Sequence, residues 1–186
     1  MFNIFISNDY NHWFNGEKMI IGFIGKMGSG KTLCMTKFAH EYFQKGNKVY
    51  ANYGLLFEHE KVKYSDIKNM SKDLIKSVIC LDEIHVFIDS RSSMKAVNRQ
   101  VSYFVTQSRK RNLILMYTTQ KFGQVDKRLR ENTDYVIKCS NKKKNGQLFI
   151  RCHMIDSDDK ERKFTINANK IFGMYDTHEV VNPFED

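Results

Sequence analysis

Eight consecutive residues, Gly25, Lys26, Met27, Gly28, Ser29, Gly30, Lys31 and Thr32, read G-x-x-x-x-G-K-T without a gap. They follow the apolar run 19–24 and precede an amphipathic stretch, the strand–loop–helix setting that a phosphate-binding loop requires. Glycines at such positions let successive backbone N–H groups turn inward around phosphate oxygens at a helix N-terminus. Lys31 is then expected to reach the β- and γ-phosphates of a nucleoside triphosphate and Thr32 to ligate Mg²⁺, with Leu33 closing the binding stretch 25–33. Some fifty residues on, the continuous apolar run 78–81 ends in Asp82 and Glu83. An acidic pair at the end of a buried strand suits two tasks: Asp82 to hold Mg²⁺ through water, and Glu83 to polarise an attacking water. A third apolar run, 112–119, closes on Gln120, which would sit on the same sheet edge and sense the γ-phosphate if the strands are parallel.

These residues need elements to position them. Leu33, Met35, Phe38, Ala39, Tyr42 and Phe43 recur at helical spacing and stop at Gly46-Asn47, so the phosphate loop opens a helix. A short strand is expected over 48–52, a helix over 65–76 with capping serines at Ser65 and Ser71, and a strand over 78–81. Met94, Val97, Val101, Phe104, Val105 and Ser108 mark a further helix, followed by Arg109-Lys110-Arg111. Residues 124–130 predict a short helix carrying Lys127, Arg128 and Arg130, and 135–139 a short strand. Residues 141–146 read as a turn, and 148–155 with 163–166 as an antiparallel hairpin near the sheet edge. The fold class is α/β: a mainly parallel central sheet flanked by helices, with a C-terminal β-hairpin. One domain is expected, made of an N-terminal arm (1–18), a core (19–139), a hairpin region (140–176) and a tail (177–186).

The net charge of +9 is unevenly placed, at +1 over residues 1–90, +12 over 91–151 and −4 over 152–186. A basic middle segment is the electrostatic footprint of a polyanion partner. Cys34, Cys80, Cys139 and Cys152 show no C-x-x-C spacing and read as buried thiols of a reducing compartment, with neither a disulfide frame nor a zinc site expected. No apolar run approaches eighteen residues, so no membrane span is expected.

The ordered set of G-K-M-G-S-G-K-T, Leu81-Asp82-Glu83-Ile84-His85, a basic helix end and Thr118-Thr119-Gln120 resembles the FtsK/HerA superfamily of DNA-pumping P-loop ATPases. Two branches are similar. One is the Zot-like group of filamentous-phage morphogenesis proteins, through Gly30-Lys-Thr-Leu, Lys48-Val-Tyr-Ala-Asn and Tyr175-Asp-Thr; the other is the compact genome-packaging ATPases of membrane-containing icosahedral viruses, including archaeal ones.

The resemblance implies a RecA-like (ASCE) core that binds ATP and Mg²⁺, a homo-oligomeric ring of five or six subunits, and an arginine finger reaching a neighbour's nucleotide. Arg109 and Arg128 are its first candidates, with Arg111, Arg130 and Arg91 beside them. Lys142-Lys-Lys is a candidate surface for duplex DNA, gripped without regard to base sequence. The implied work is packaging of a viral genome at a capsid vertex, in the host cytoplasm or on the virion; the alternative is a Zot-like ATPase driving filamentous phage assembly at a membrane. Against a GTPase, no N-K-x-D element follows Asn141-Lys142; against a kinase, Glu83 beside Asp82 suits water better than an acceptor substrate.

Overall fold

The unbroken apolar run at the start of the core forms β1 (Met19–Ile24), which runs directly into the phosphate loop, and α1 (Lys31–Gln44) leaves it. Leu33, Cys34, Met35, Thr36, Phe38, Ala39 and Tyr42 make the buried side of α1. The helix ends where Gly46, at φ 84°, donates its N–H to the Phe43 carbonyl. There follow β2 (Lys48–Ala51), β3 (Glu60–Lys61), α2 (Tyr64–Asn69), β4 (Ser77–Leu81), α3 (Met94–Lys110), β5 (Ile114–Thr119), α4 (Lys127–Glu131), β6 (Tyr135–Lys144), β7 (Gln147–Asp156) and β8 (Glu161–Asn167). This computed structural model describes residues 18–69, 74–84 and 94–175, and for 64, 68 and 94–100 the backbone alone. The expected N-terminal arm as far as residue 17, Ser71, His85, Arg91 and the tail lie outside the described residues.

Among the described residues, one eight-stranded sheet runs β3-β2-β4-β5-β1-β6-β7-β8. The pairs from β3 to β6 are parallel, and β7 and β8 join antiparallel. β4 and β5 are buried at every position, as parallel strands covered on both faces must be. Strand periodicity divides the interior in two. Ile21, Phe23, Val78, Cys80, Ile114 and Met116 pack with α1 on one side. Ile20, Ile79, Leu81, Leu115 and Tyr117 pack with Val101, Phe104 and Val105 of α3 and Leu129 of α4 on the other. Asp82 and Thr118 are in phase with the first set, and Leu81 pairs with Tyr117, so the two residues reach the carboxyl edge side by side on the α1 face.

Two expectations are corrected. The stretch 141–146 is not all turn: β6 continues to Lys144, and the reversal is made by Asn145 (φ 51°) and Gly146 (φ 73°) alone. Positive φ at both central residues is the hairpin geometry that Asn-Gly favours, and ten cross-strand pairs with β7 hold the lysine run extended in spite of its charge. The helix expected over 65–76 is described only as Tyr64–Asn69, and residues 74–76 are not helical. Ser65 does not cap it; Asp66 reaches back to accept the Lys63 N–H at 2.9 Å, the reciprocal half of a capping box.

Candidate nucleotide site at the carboxyl edge of the sheet

The phosphate loop is held open by its own backbone. Gly28 and Gly30 take φ of 70° and 88°, the left-handed region closed to most side chains. A Cβ on Gly30 would also lie 2.4 Å from Ile150 Cδ1 of β7, so this turn admits no larger residue without displacing the Ile150 side chain beneath it. Gly30 caps α1 without a side-chain bond, which leaves the first-turn amides available to an anion. Ser29 Oγ is buried with no hydrogen-bond partner among the described residues, and Lys31, 6% exposed, curls back over the loop with its ammonium 3.4 Å from the Lys26 carbonyl. Neighbouring strands brace the loop: Gly25 N–H donates to Thr119 O, and Asn141 Nδ2 of β6 donates to Gly28 O at 2.6 Å. Met27 is exposed at the tip and Leu33 is buried in the core.

The acidic pair converges on this loop. Thr32 Oγ1 donates to Asp82 Oδ1 at 2.9 Å, and Lys31 Nζ lies 3.5 Å from Glu83 Oε1. A hydroxyl and a carboxylate side by side at a helix N-terminus form the oxygen donor set that Mg²⁺ accepts, so Thr32 and Asp82 fit the expected metal role. Burial raises the Asp82 carboxyl above its ordinary range; hydrogen bonds from Thr118 and Thr32 pull it back.

Two partners were not evident from motif spacing. Thr118 Oγ1 donates to Asp82 Oδ1 at 2.6 Å and accepts the Glu83 N–H at 2.8 Å, so one hydroxyl sets both acids. Asn52, just past β2, grips the Asp82 backbone from both sides, accepting its N–H at 2.7 Å and donating to its carbonyl at 3.0 Å. Glu83 itself sits at φ 48°, a conformation uncommon for a residue with a side chain and here tied down by Thr118. The signal for both partners was the strand edge: each stands where a parallel strand ends beside β4.

The remaining candidates are placed as follows. Gln120 is exposed and follows Thr119, whose register partner is Ile24, so it stands across from Gly25 at the loop's entrance. Arg109 binds Asp134 and the Asn132 carbonyl, each at 2.9 Å, and Asp134 in turn accepts the Ile20 N–H. This network lies at the amino end of β1, opposite the phosphate loop. Arg128 joins Arg109 in lining a cleft of about 370 Å³ between α3 and α4, with Lys110 and Glu131. The structure therefore gathers the two arginines with each other and not with the chain's own loop.

The sequence profile of the ATPase family associated with various cellular activities (AAA) matches residues 21–141. The N-terminal domain of zonular occludens toxin from Neisseria meningitidis superposes with a TM-score of 0.60 at 19% identity, covering 86% of this chain and 99% of that domain. The genome packaging NTPase from Sulfolobus turreted icosahedral virus 2, in complex with AMPPCP, gives a TM-score of 0.55 at 14% identity over 80% of this chain and 97% of that one. At these identities the likeness is one of fold. The uncharacterized ORF2 protein of Spiroplasma virus SpV1 is 30% identical over 135 residues, 67% of this chain and 38% of that protein. The chain thus spans less than two fifths of the length of that relative.

Proposed function

We propose that this chain, which belongs to the AAA family of ATPases, is an ATP-driven motor that moves double-stranded DNA, working as a homo-oligomeric ring to package a viral genome. The observation that carries the DNA partner is the open face of β6–β8. Residues opposed across the ladders share a face, and on the side away from α1 this one carries Lys138, Lys142, Lys144, Arg151 and Lys163, all exposed. The acid on it, Glu161, is paired with His153 at 2.9 Å. Five exposed cations on one strand face suit phosphates, the contact that a motor indifferent to sequence would use. The same hairpin supplies Asn141 to the phosphate loop, a direct link between the DNA-facing strands and the nucleotide.

In this mechanism Lys31 and the amides of residues 28–33 bind the β- and γ-phosphates, and Thr32 and Asp82 hold Mg²⁺. The ion, when bound, offsets phosphate charge. Glu83 accepts the proton of the attacking water, and Thr118 keeps its backbone and Asp82 in register. Gln120, at the loop's entrance, reports the γ-phosphate. Arg109 and Arg128 face away from their own loop, so a finger role for either is exercised on a neighbouring subunit, in a ring of five or six at the capsid vertex. The setting is the host cytoplasm or the virion, and the folded unit is one domain.

The second reading, a Zot-like ATPase that drives phage assembly at a membrane, is supported by the near-complete overlap with the zonular occludens toxin domain. No helix among the described residues is long and apolar enough to cross a membrane.

The deciding experiment is steady-state ATP hydrolysis with and without linear duplex DNA at low and moderate salt. The motor reading expects stimulation that fades with salt. It also expects a Lys142→Ala/Lys144→Ala/Arg151→Ala variant whose log–log salt slope of DNA binding falls by roughly two to three units, near 0.9 for each phosphate no longer neutralised. Hydrolysis indifferent to DNA would reject it in favour of the assembly reading.

A further inference from the structure

Three of the four cysteines, distant in sequence, meet beneath the phosphate loop. Cys34 lies on α1, one turn from its start, while Cys139 on β6 and Cys152 on β7 are opposed across the antiparallel ladder. Their Sγ atoms all lie within 4.8 Å of one another, and Cys34 and Cys152 are 3.5 Å apart. The three side chains are 0%, 6% and 2% exposed. Three sulfurs around one ion, each at a metal–sulfur length of about 2.3 Å, stand about 4 Å from one another, so the apposition here is already close to a coordination shell.

We propose that Cys34, Cys139 and Cys152 form a buried trithiolate site for a thiophilic d¹⁰ metal ion, zinc(II) or copper(I). Thiolate donors select such ions over Mg²⁺, which keeps to the oxygens of Thr32 and Asp82. Charge favours the divalent ion: three thiolates around zinc(II) leave one negative charge, and the Lys31 ammonium lies close enough to act on Cys139. Ligand number favours copper(I), since among the described residues the cluster has no fourth Cys, His, Asp or Glu. Binding takes the proton from each thiol it engages, forms three metal–sulfur bonds, releases those protons to solvent and transfers no electron.

Buried cysteines commonly serve as small apolar side chains, and Cys80, buried outside the cluster, has that role. The trio differs in its convergence and in its place. A Cβ on Gly25 would lie 2.6 Å from the Cys139 carbonyl, so an ion here would brace the strand against which the phosphate loop rests. An ion held in this way would be bound whatever the motor moves.

The test uses the full chain, purified anaerobically, reduced and stripped with a chelator, then titrated in separate arms with zinc(II) and copper(I). One ion per chain is expected in one arm, with a raised melting temperature and with Cys34, Cys139 and Cys152 protected from alkylation in the wild type. Cys34→Ala, Cys139→Ala and Cys152→Ala should each weaken binding about a hundredfold or more, while Cys80→Ala binds as wild type. The arm that binds tighter identifies the ion. Failure of both ions to bind or protect the wild-type chain, or binding that survives all three variants, overturns the proposal.

Discussion

Lys31 Nζ and Glu83 Oε1 stand 3.5 Å apart, so the cation proposed to hold phosphate is joined to the carboxylate proposed to polarise water. The pair is half sheltered, with Lys31 6% and Glu83 27% exposed. In the proposed mechanism, a γ-phosphate that drew Lys31 toward itself would loosen its hold on Glu83 and free that carboxylate as the substrate arrives.

Glu83→Gln removes the base while keeping the side chain's size. Nucleotide affinity should stay within a few-fold of wild type, and turnover should fall by about 10²–10⁴, the usual worth of a general base. Lys31→Ala should instead weaken binding itself. Separate measurements of nucleotide affinity and kcat check both; retained turnover in Glu83→Gln would assign the water to another residue.

Thr118 acts through a single hydroxyl that donates to Asp82 and accepts from the Glu83 backbone. Thr118→Val keeps the shape and removes the one hydroxyl shared by both acids, leaving Asp82 to Thr32 and Asn52; at about 1–3 kcal/mol for the loss of a buried partner this corresponds to a fall of roughly 5- to 150-fold in kcat. Thr118→Ser should restore most of it. A change in KM with kcat unchanged would mean that the hydroxyl supports binding and not the positioning of the acids.

Burial raises the Asp82 carboxyl, and the sign of its pH effect follows. An acid that titrates higher in the folded chain than in the unfolded one adds stability below its ordinary range, and that contribution is lost as pH rises through its folded value. Magnesium binding runs the other way, because it needs the carboxylate. Mg²⁺-dependent nucleotide affinity should therefore begin to weaken on acidification at a pH above about 3.9, the range of an exposed aspartate. Asp82→Asn should abolish that dependence together with most of the Mg²⁺ effect. Affinity measured with and without Mg²⁺ across pH checks it; a profile flat down to about pH 4 would show that Asp82 is not the group titrating.

Much of the candidate site was legible in the sequence because it is local. The phosphate loop is contiguous, its glycines state the backbone angles they permit, and α1 announces itself through its buried stripe. The unbroken apolar runs of β1, β4 and β5 marked buried parallel strands, and with them the single edge where Lys31, Asp82 and Glu83 meet. Tertiary structure decided what depends on register and on which strand lies next to which. Placing β5 between β1 and β4 is what gives Asp82 the Thr118 hydroxyl, and β2 on the far side of β4 brings Asn52. Pairing β6 with β7 over ten residues turned an expected lysine loop into a basic sheet face, and it brought Cys139 and Cys152 to Cys34. Periodicity assigns a residue to one of two faces; only the packed sheet chooses its neighbours there, because strand order is settled by burial summed over the whole chain and not by any one segment.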